Sequence, residues 1–392
     1  MSTVLRFDEY FGLPEFRRLT LEYYEEGAES FVVDLRDTIQ GTPLGVVPAV
    51  SFLQFLRDSG VEVDVLPSTS EVFVGAGWNQ SLAGEIPASS EAHRVHIYRD
   101  GATLNACVDA AIDVLASHIQ CAPGVIDGFA WILNELADNV LVHSASPDYE
   151  AVGYLGVMPS PERKRIDIAV ADPGRGILQT LREGHDVSND EDALTRAIEK
   201  GVTRDRNIGQ GNGLSGSLRI VVASRASLNL ISGFAELDVE GEYTRHRSFG
   251  FTPGTTVGVS LPTDREVDLQ YALWGNPPAG TFELKYLLDA EDVVFLVAQE
   301  VGGFGNRESG LIARTKLENI LISHPETRVA VDFGGIALAT ASFCDEFLGK
   351  HIADRGVVEA FRQLTITNAN SLVQATIDQV IGQRLGPTGD GA

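Results

Sequence analysis

The stretch FAWILNELADNVLVHS, residues 129–144, constrains the fold more than any other part of this chain. Its apolar residues suit a helix made for burial, yet Glu135, Asn139 and His143 interrupt it at four-residue intervals. Residues four apart share a helical face, so these three line up while Trp131, Leu136 and Val140 face elsewhere. The chain must therefore pack the apolar side of this helix and still leave a carboxylate, a carboxamide and an imidazole in a row. A solvated stripe is the ordinary meaning of such a row taken alone. A nucleotide site is the sharper one. The carboxylate can orient or deprotonate a water, and the carboxamide can give oxygen to a Mg²⁺ that also holds phosphates. His143, at the end of the stripe, reads as a structural hydrogen-bonding residue.

Around this helix the pattern is α/β throughout. At 392 residues the chain is long for one hydrophobic core, which predicts two or three domains. Residues 1–90 read as one unit, with helices in PEFRRLTLEYYEEG and VPAVSFLQFLRDSG and strands in SFVVDLRD and VEVDVLP. A second unit starts near His93. It holds the strand VHIY, a helix over 104–119, the opening helix, and the strands EAVGYLGVM and RIDIAVAD. From 178 to 208 the chain reads as polar and mostly loop, with one helix near DALTRAIEKG. GLSGSLRIVVASR is helical, and SLNLIS, AELDVEG and TTVGVSLP are strands. Residues 266–280 read as a linker, and 281–392 as a last α/β unit with RVAVDF a buried strand and ASFCDEFLGKHIADRG a helix. The runs SFVVDLRD…SFLQFLRDSG and TRVAVDFGG…SFCDEFLGKHIADRG echo each other as strand, loop and helix, with loops that read as unequal in length.

Composition narrows the partners. The 55 acidic and 30 basic residues leave a net charge of -25, which repels phosphate backbones and anionic lipid, so nucleic-acid and membrane roles are disfavoured. Cys107, Cys121 and Cys344 are widely spaced with no C-x-x-C pair, which argues against a zinc ribbon or a disulfide framework. The first residues, MSTVLRFDEYFG, carry charges where a signal peptide needs an apolar stretch, and no run approaches the roughly 20 apolar residues of a membrane span. A cytoplasmic protein is expected.

Further motifs follow the helix. Asp172-Pro173-Gly174-Arg175-Gly176 comes directly after the strand IDIAVA, where a carboxylate can accept from the exocyclic amine of a base while the glycines let the backbone approach. An ordinary Asp-Pro-Gly turn fits as well. Gly209-Gln210-Gly211-Asn212-Gly213-Leu214 opens a helix, and such loops offer N–H groups and a positive dipole end to phosphate. Gly211, Gly213 and Gly216 also match G-x-G-x-x-G. A dinucleotide fingerprint needs a buried strand just upstream, and TRDRNI is not one. Gly254-Thr255-Thr256 enters the strand VGVSL and can place a hydroxyl near a base.

The order of these boxes over residues 93–265 resembles the GHKL ATPase superfamily, which includes gyrase, MutL, sensor histidine kinases and anti-sigma serine kinases. The resemblance implies a two-layer α/β sandwich, the Bergerat-type ATP-binding fold, with ATP and Mg²⁺ as cofactors. It would make Glu135 the water-activating base and Asn139 the Mg²⁺ ligand. Asp172 would read adenine, with Gly174 and Gly176 beside it and Thr255 helping. Residues 178–208 would be a lid, and Gly209, Gly211 and Gly213 the phosphate loop. Arg204 and Arg206, just before those glycines, are candidates to reach the γ-phosphate, although a solvated loop arginine is commoner.

The tail carries a second resemblance. FGNRESG, VAVDFGGIALATASFCDEFLGKH and LTITNAN look like the STAS-like domains found beside bacterial GHKL modules. In partner-switching STAS proteins a Ser or Thr at the start of the helix after the central strand takes phosphate from a GHKL kinase. Thr340 and Ser342 fall there, with an N-cap and a first-turn residue as the plain alternative, and Asp345 and Glu346 nearby would oppose a dianion. The expected architecture is thus a Bergerat-type sandwich flanked by smaller STAS-like units, the amino-terminal one divergent. The expected function is an ATP-hydrolysing regulatory switch whose lid closure changes contacts with a protein partner, itself a regulatory or STAS-containing protein. An anti-sigma-type serine/threonine kinase and a non-catalytic nucleotide sensor are the alternatives. GHKL modules often pair, so a homodimer is compatible with the resemblance.

Overall fold

Each short apolar strand at the amino terminus is followed by a helix long enough to carry the chain back, which is what parallel pairing requires. The computed structural model describes residues 2–26, 30–85, 95–145, 150–199, 213–241, 243–273, 293–323, 325 and 327–385. In it β1 (Ser2–Arg6), α1 (Leu13–Glu26), β2 (Ser30–Asp34), α2 (Pro43–Asp58) and β3 (Glu62–Leu66) form a parallel sheet ordered β1-β2-β3. Helix α2 begins at Pro43, a turn before the Val47 read from the sequence. A proline in the first turn lacks only an N–H that would be unsatisfied there anyway, and Pro48 inside the helix is tolerated. Val46, Val47, Val50, Leu53 and Leu56 of α2 are all buried.

The central residues form a five-stranded sheet. Its strands are β4 (His96–Tyr98), β5 (Gly153–Ser160), β6 (Arg165–Asp172), β7 (Ser227–Glu240) and β8 (Tyr243–Pro262), in the order β4-β5-β6-β8-β7 with every neighbour antiparallel. Helices α3 (Gly101–His118), α4 (Val125–His143), α5 (Gly176–Arg182), α6 (Asp190–Ala197) and α7 (Gly213–Ser224) lie between them in the chain. Helix α5 starts at Gly176, so part of the segment read as loop is helical. The two separate strands SLNLIS and AELDVEG are one strand, β7, and β8 begins at Tyr243 rather than near Thr255. Gly233, which lies between the two pieces, has φ +62° and bends the strand without ending it. The bend brings Asn229 back within reach of the far half of β7, where its Nδ2 donates to Glu236 Oε1 at 2.7 Å.

Helix α2 lies close against this sheet because β5 and β8 carry glycines beneath it. A Cβ at Gly156 would stand 2.6 Å from Val47 Cγ2, and one at Gly258 would run into Leu44 Cδ1. The resulting core joins Val46, Val47 and Val50 to Tyr154, Ala169, Ala171 and Ile231. Since Ala169 and Ala171 face α2, the alternate residues Ile166, Ile168, Val170 and Asp172 face the other way, and all four are buried. Gly128 of α4 passes close to α7, where an added Cβ would meet Ile220 Cγ2 at 3.3 Å.

Two compact units result: Met1–Val114 with Gly128–Pro277, and Leu115–Asp127 with Pro278–Ala392. In the second, β9 (Val293–Leu296), α8 (Arg307–Ser323), β10 (Val329–Asp332) and β11 (Leu364–Thr367) give a parallel sheet ordered β9-β10-β11. Asn319 of α8, 1 % exposed, secures the Leu115–Asp127 segment. Its Nδ2 donates to Ala116 O and Ile119 O, both at 3.0 Å, and its Oδ1 accepts from Cys121 N–H at 2.8 Å. After β10 a helix runs from Ala341, with a π-helical turn at Asp345–Gly349.

The echo between the chain's two ends extends to individual backbone bonds. Leu35 N–H donates to Leu66 O as Phe333 N–H does to Thr367 O, and Thr38 N–H to Leu35 O as Ile336 N–H to Phe333 O. Thr42 N–H donates to Phe11 O as Thr340 N–H does to Phe304 O, and Val46 N–H to Thr42 O as Cys344 N–H to Thr340 O. Asp34 and Asp332 each end a central strand and accept from the N–H two residues on. The loops between those aspartates and Thr42 or Thr340 are equal in length, which corrects the unequal loops read from the sequence. No helix among the described residues is long and apolar enough to cross a membrane, and the three cysteines are buried free thiols.

Candidate functional site

Asp172 ends β6 on the face away from α2, and the loop after it is built to hold that carboxylate in place. Gly174 N–H donates to Asp172 Oδ1 at 2.8 Å, and the Thr255 N–H on the neighbouring strand also donates to the carboxyl group. Burial nevertheless dominates and pushes its pKa up to about 7, since these two donors only partly replace water around a charge. Gly254 makes the closeness possible. It has φ +69°, and any Cβ there would collide with the Asp172 carbonyl. Gly176, with φ +75°, starts α5 beside Ser232, whose Oγ accepts from Ile177 N–H at 3.0 Å and donates to Gly254 O at 2.7 Å.

The same loop is tied to the end of the polar helix. Arg175 N–H donates to Ser144 O at 3.3 Å, and Arg175 Nε donates to His143 O at 2.9 Å. A Cβ on Gly174 would stand 2.7 Å from Ser144 Cβ, so only glycine lets the loop and the helix end meet this closely. With the α4 terminus fixed at Gly174, Asn139 lies about one turn back and Glu135 about two, at about 5.4 Å per turn. Both are half-buried. Burial, with Asp138 adding, raises the Glu135 pKa, which suits a base that must hold a proton. Asn139 and Glu135 supply oxygen of the hard kind that Mg²⁺ takes.

The structure therefore brings together Asp172, Gly174, Gly176, Thr255 and the end of the helix that carries Glu135 and Asn139. Gly213 is the first residue of α7. Gly209, Gly211, Arg204 and Arg206 lie outside the described residues, as does the end of the expected lid; its first part is α5 and α6, with Asp190 accepting from Phe234 N–H of β7 at 3.2 Å. In the carboxy-terminal unit Thr340 is an N-cap that accepts from Phe343 N–H at 3.3 Å, and Ser342 is exposed. Asp345 pairs with Arg384 at 2.7 Å and Arg307 at 3.2 Å, and Glu346 with Lys350 at 2.6 Å and Arg314 at 3.2 Å.

Several site residues were not singled out from the sequence. Tyr98, Gly153, Ser144 and Ser232 surround Asp172 only because of strand register and the α4 terminus. Two of them, Tyr98 at 1 % and Ser144 at 5 % exposure, bury hydroxyls that have no hydrogen-bond partner. Such orphans are uncommon in a finished core and fit a site that a ligand completes. A separate cavity of about 740 Å³ lies on the α2 side of the sheet, beside Thr42, Leu44, Asp167 and Asn229. In its wall Arg247 pairs with Asp238 at 3.0 Å and Arg165 with Asp167 at 3.2 Å, while Arg165 Nε and Asn229 Oδ1 are buried without a hydrogen-bond partner.

Comparison with known proteins gives no match to a family model, to a curated protein or to a solved structure.

Proposed function

We propose that this chain is an ATP-binding, ATP-hydrolysing regulatory switch of the GHKL type. The observation that carries the reading is the buried Asp172 carboxylate at a strand end, pinned by glycines to the terminus of the helix bearing Glu135 and Asn139. An antiparallel five-stranded sheet with an outward buried face and the helices α3, α4 and α7 in this order supports a Bergerat-type sandwich. On that reading Asp172 accepts from the adenine amine and Thr255 lies one strand over. Gly174 and Gly176 let the backbone close on the base.

The residues fit a magnesium nucleotide. Asn139 would give its amide oxygen to the metal, and the phosphates would meet Gly213 and the dipole of α7, which starts there. Bound Mg²⁺ supplies positive charge to the phosphate oxygens as the γ-phosphoryl group leaves. Glu135 holds and orients the attacking water and takes its proton, helped by a carboxyl whose pKa burial has raised. Closure of residues 178–208 would change the contacts of the flanking STAS-like units with a protein partner.

The kinase reading keeps one supporting observation. Arg307, Arg314, Lys350 and Arg384 meet the charges of Asp345 and Glu346, which lessens their repulsion of a phosphate at the exposed Ser342. One experiment separates the readings. ATP labelled on the γ-phosphate is incubated with the full chain and with Glu135→Ala. Free labelled phosphate that disappears in the variant supports the switch. Label retained on the chain, mapped to Ser342 or Thr340, supports the kinase. Binding without any transfer refutes both catalytic readings and leaves a sensor.

A further inference from the structure

Strand register sets a row of residues across the sheet on the Asp172 face. Tyr98 of β4 pairs with Gly153 of β5. Tyr154 pairs with Ala171, so Gly153 falls beside Asp172, and Thr255 pairs with both Asp172 and Ser232. The row therefore reads Tyr98, Gly153, Asp172, Thr255, Ser232. Gly153 is the gap in it. A Cβ at that position would collide with Cζ and Oη of Tyr98, so the tyrosine ring lies across β5 and carries its hydroxyl toward Asp172. Adjacent strands are about 4.8 Å apart, so a phenol that has crossed one strand arrives beside the carboxylate of the next.

The hydroxyl arrives there without a partner. Tyr98 is 1 % exposed, and its Oη makes no hydrogen bond. Burial and then the nearby Asp172 carboxylate raise its pKa, so the phenol stays protonated and is a donor. A carboxylate acceptor and a phenol donor side by side, both shielded from water, complement an edge that presents a donor next to an acceptor. Adenine has such an edge in its exocyclic amine and ring nitrogen N1. Guanine presents the reverse order, a carbonyl oxygen next to an N–H.

We propose that Tyr98 is a second reader of the base, its hydroxyl donating to adenine N1 while Asp172 accepts from the amine. The inference rests on the nucleotide reading of the Asp172 site and narrows it to adenine nucleotides held by two adjacent contacts. Tyr98 is a specificity-determining residue on this account, touching the base and not the reacting phosphate.

The test uses the full chain and two ligands, ATP and 1-deaza-ATP, in which a C–H replaces N1. Affinities are measured by calorimetry for wild type, Tyr98→Phe, Ser144→Ala and Asp172→Ala. Phenylalanine keeps the ring over Gly153, and loss of an unpartnered buried hydroxyl should leave thermal stability unchanged or slightly raised. The wild-type chain should bind 1-deaza-ATP about tenfold more weakly than ATP, the loss expected for one buried hydrogen bond. Tyr98→Phe should bind ATP about tenfold more weakly and show no further loss with 1-deaza-ATP, because the bond is already gone. Independent, multiplying losses overturn the proposal, as does wild-type ATP affinity in Tyr98→Phe. The same coupling found in Ser144→Ala instead moves the role to Ser144 and overturns it too. If Asp172→Ala loses ATP while Tyr98→Phe does not, only the Tyr98 assignment falls. If the wild-type chain binds no ATP, the nucleotide reading falls with it.

Discussion

Replacing Asp172 by asparagine keeps the shape of the side chain and its acceptor for the Gly174 N–H while removing a buried ionisation. In the folded chain the Asp172 pKa is pushed up to about 7 from 3.8. The folded state thus holds this proton to higher pH than the unfolded state does. Stability from this group is full below the unfolded pKa and declines as pH rises, at about 1.4 kcal/mol per pH unit, until it levels off above about pH 7. The whole span is roughly 4 kcal/mol, and between about pH 5 and pH 8 roughly 2–3 kcal/mol of it is open to measurement. Urea unfolding of wild type and Asp172→Asn across that range reads the effect directly, because the other titrating groups are common to both and cancel. The difference in unfolding free energy should move by that amount in favour of the asparagine variant as pH rises. A difference that stays flat with pH would refute the claim that burial controls this carboxyl. Ligand binding should run the other way. The ionised carboxylate is the better acceptor for an amine, so ATP affinity in the wild type should rise toward pH 7, and the asparagine variant should lose that slope.

Further outcomes follow from single positions. Gly254→Ala puts a Cβ into the Asp172 carbonyl at φ +69°, and should cost about 2–4 kcal/mol in denaturant unfolding while weakening nucleotide binding. Asn319→Ala removes the side-chain partner of Ala116 O and of Cys121 N–H and leaves Ile119 O with only the weak Cys121 thiol donor at 3.6 Å, so a loss of about 2–4 kcal/mol is expected; a value under about 1 kcal/mol would show that water replaces the side chain. Lys316 Nζ donates to Glu300 O at 3.1 Å and pairs with its carboxylate at 3.3 Å, both residues being buried, and Lys316→Met should destabilise by about 3–5 kcal/mol because a carboxylate is left behind. Restoring neutrality with Glu300→Gln in the same chain should recover part of that loss in the same assay.

Local periodicity reveals much of the fold and the chemistry of the site. The helix with Glu135 and Asn139, the strand ending in Asp172 and the glycines after it are all visible in the chain, because 3.6-residue and two-residue repeats and turn glycines are local signals. The α/β alternation is legible for the same reason, as is the echo between the two ends. Other features were not. Strand β7 reads as two pieces because a glycine such as Gly233 signals a turn whether or not the strand resumes beyond it, and β8 reads as its last part alone. Helix α5 was hidden in a polar segment because its buried side is only Thr180 and Leu181. The equal loops before Thr42 and Thr340 emerge from backbone bonds, which side-chain patterns do not report.

Tertiary structure alone decided what surrounds Asp172. Tyr98 and Gly153 are more than fifty positions apart, and they meet because antiparallel register places them opposite each other. Ser144 meets Gly174 because the α4 terminus is tied down by Arg175. The same holds for the raised Asp172 pKa, since a carboxylate after a strand is solvated or buried according to what packs over it. The sequence by itself thus determined which chemical groups are present and which local elements carry them. Their register, burial and mutual distance depended on long-range packing, because pairing energies are shared between segments that no local pattern connects.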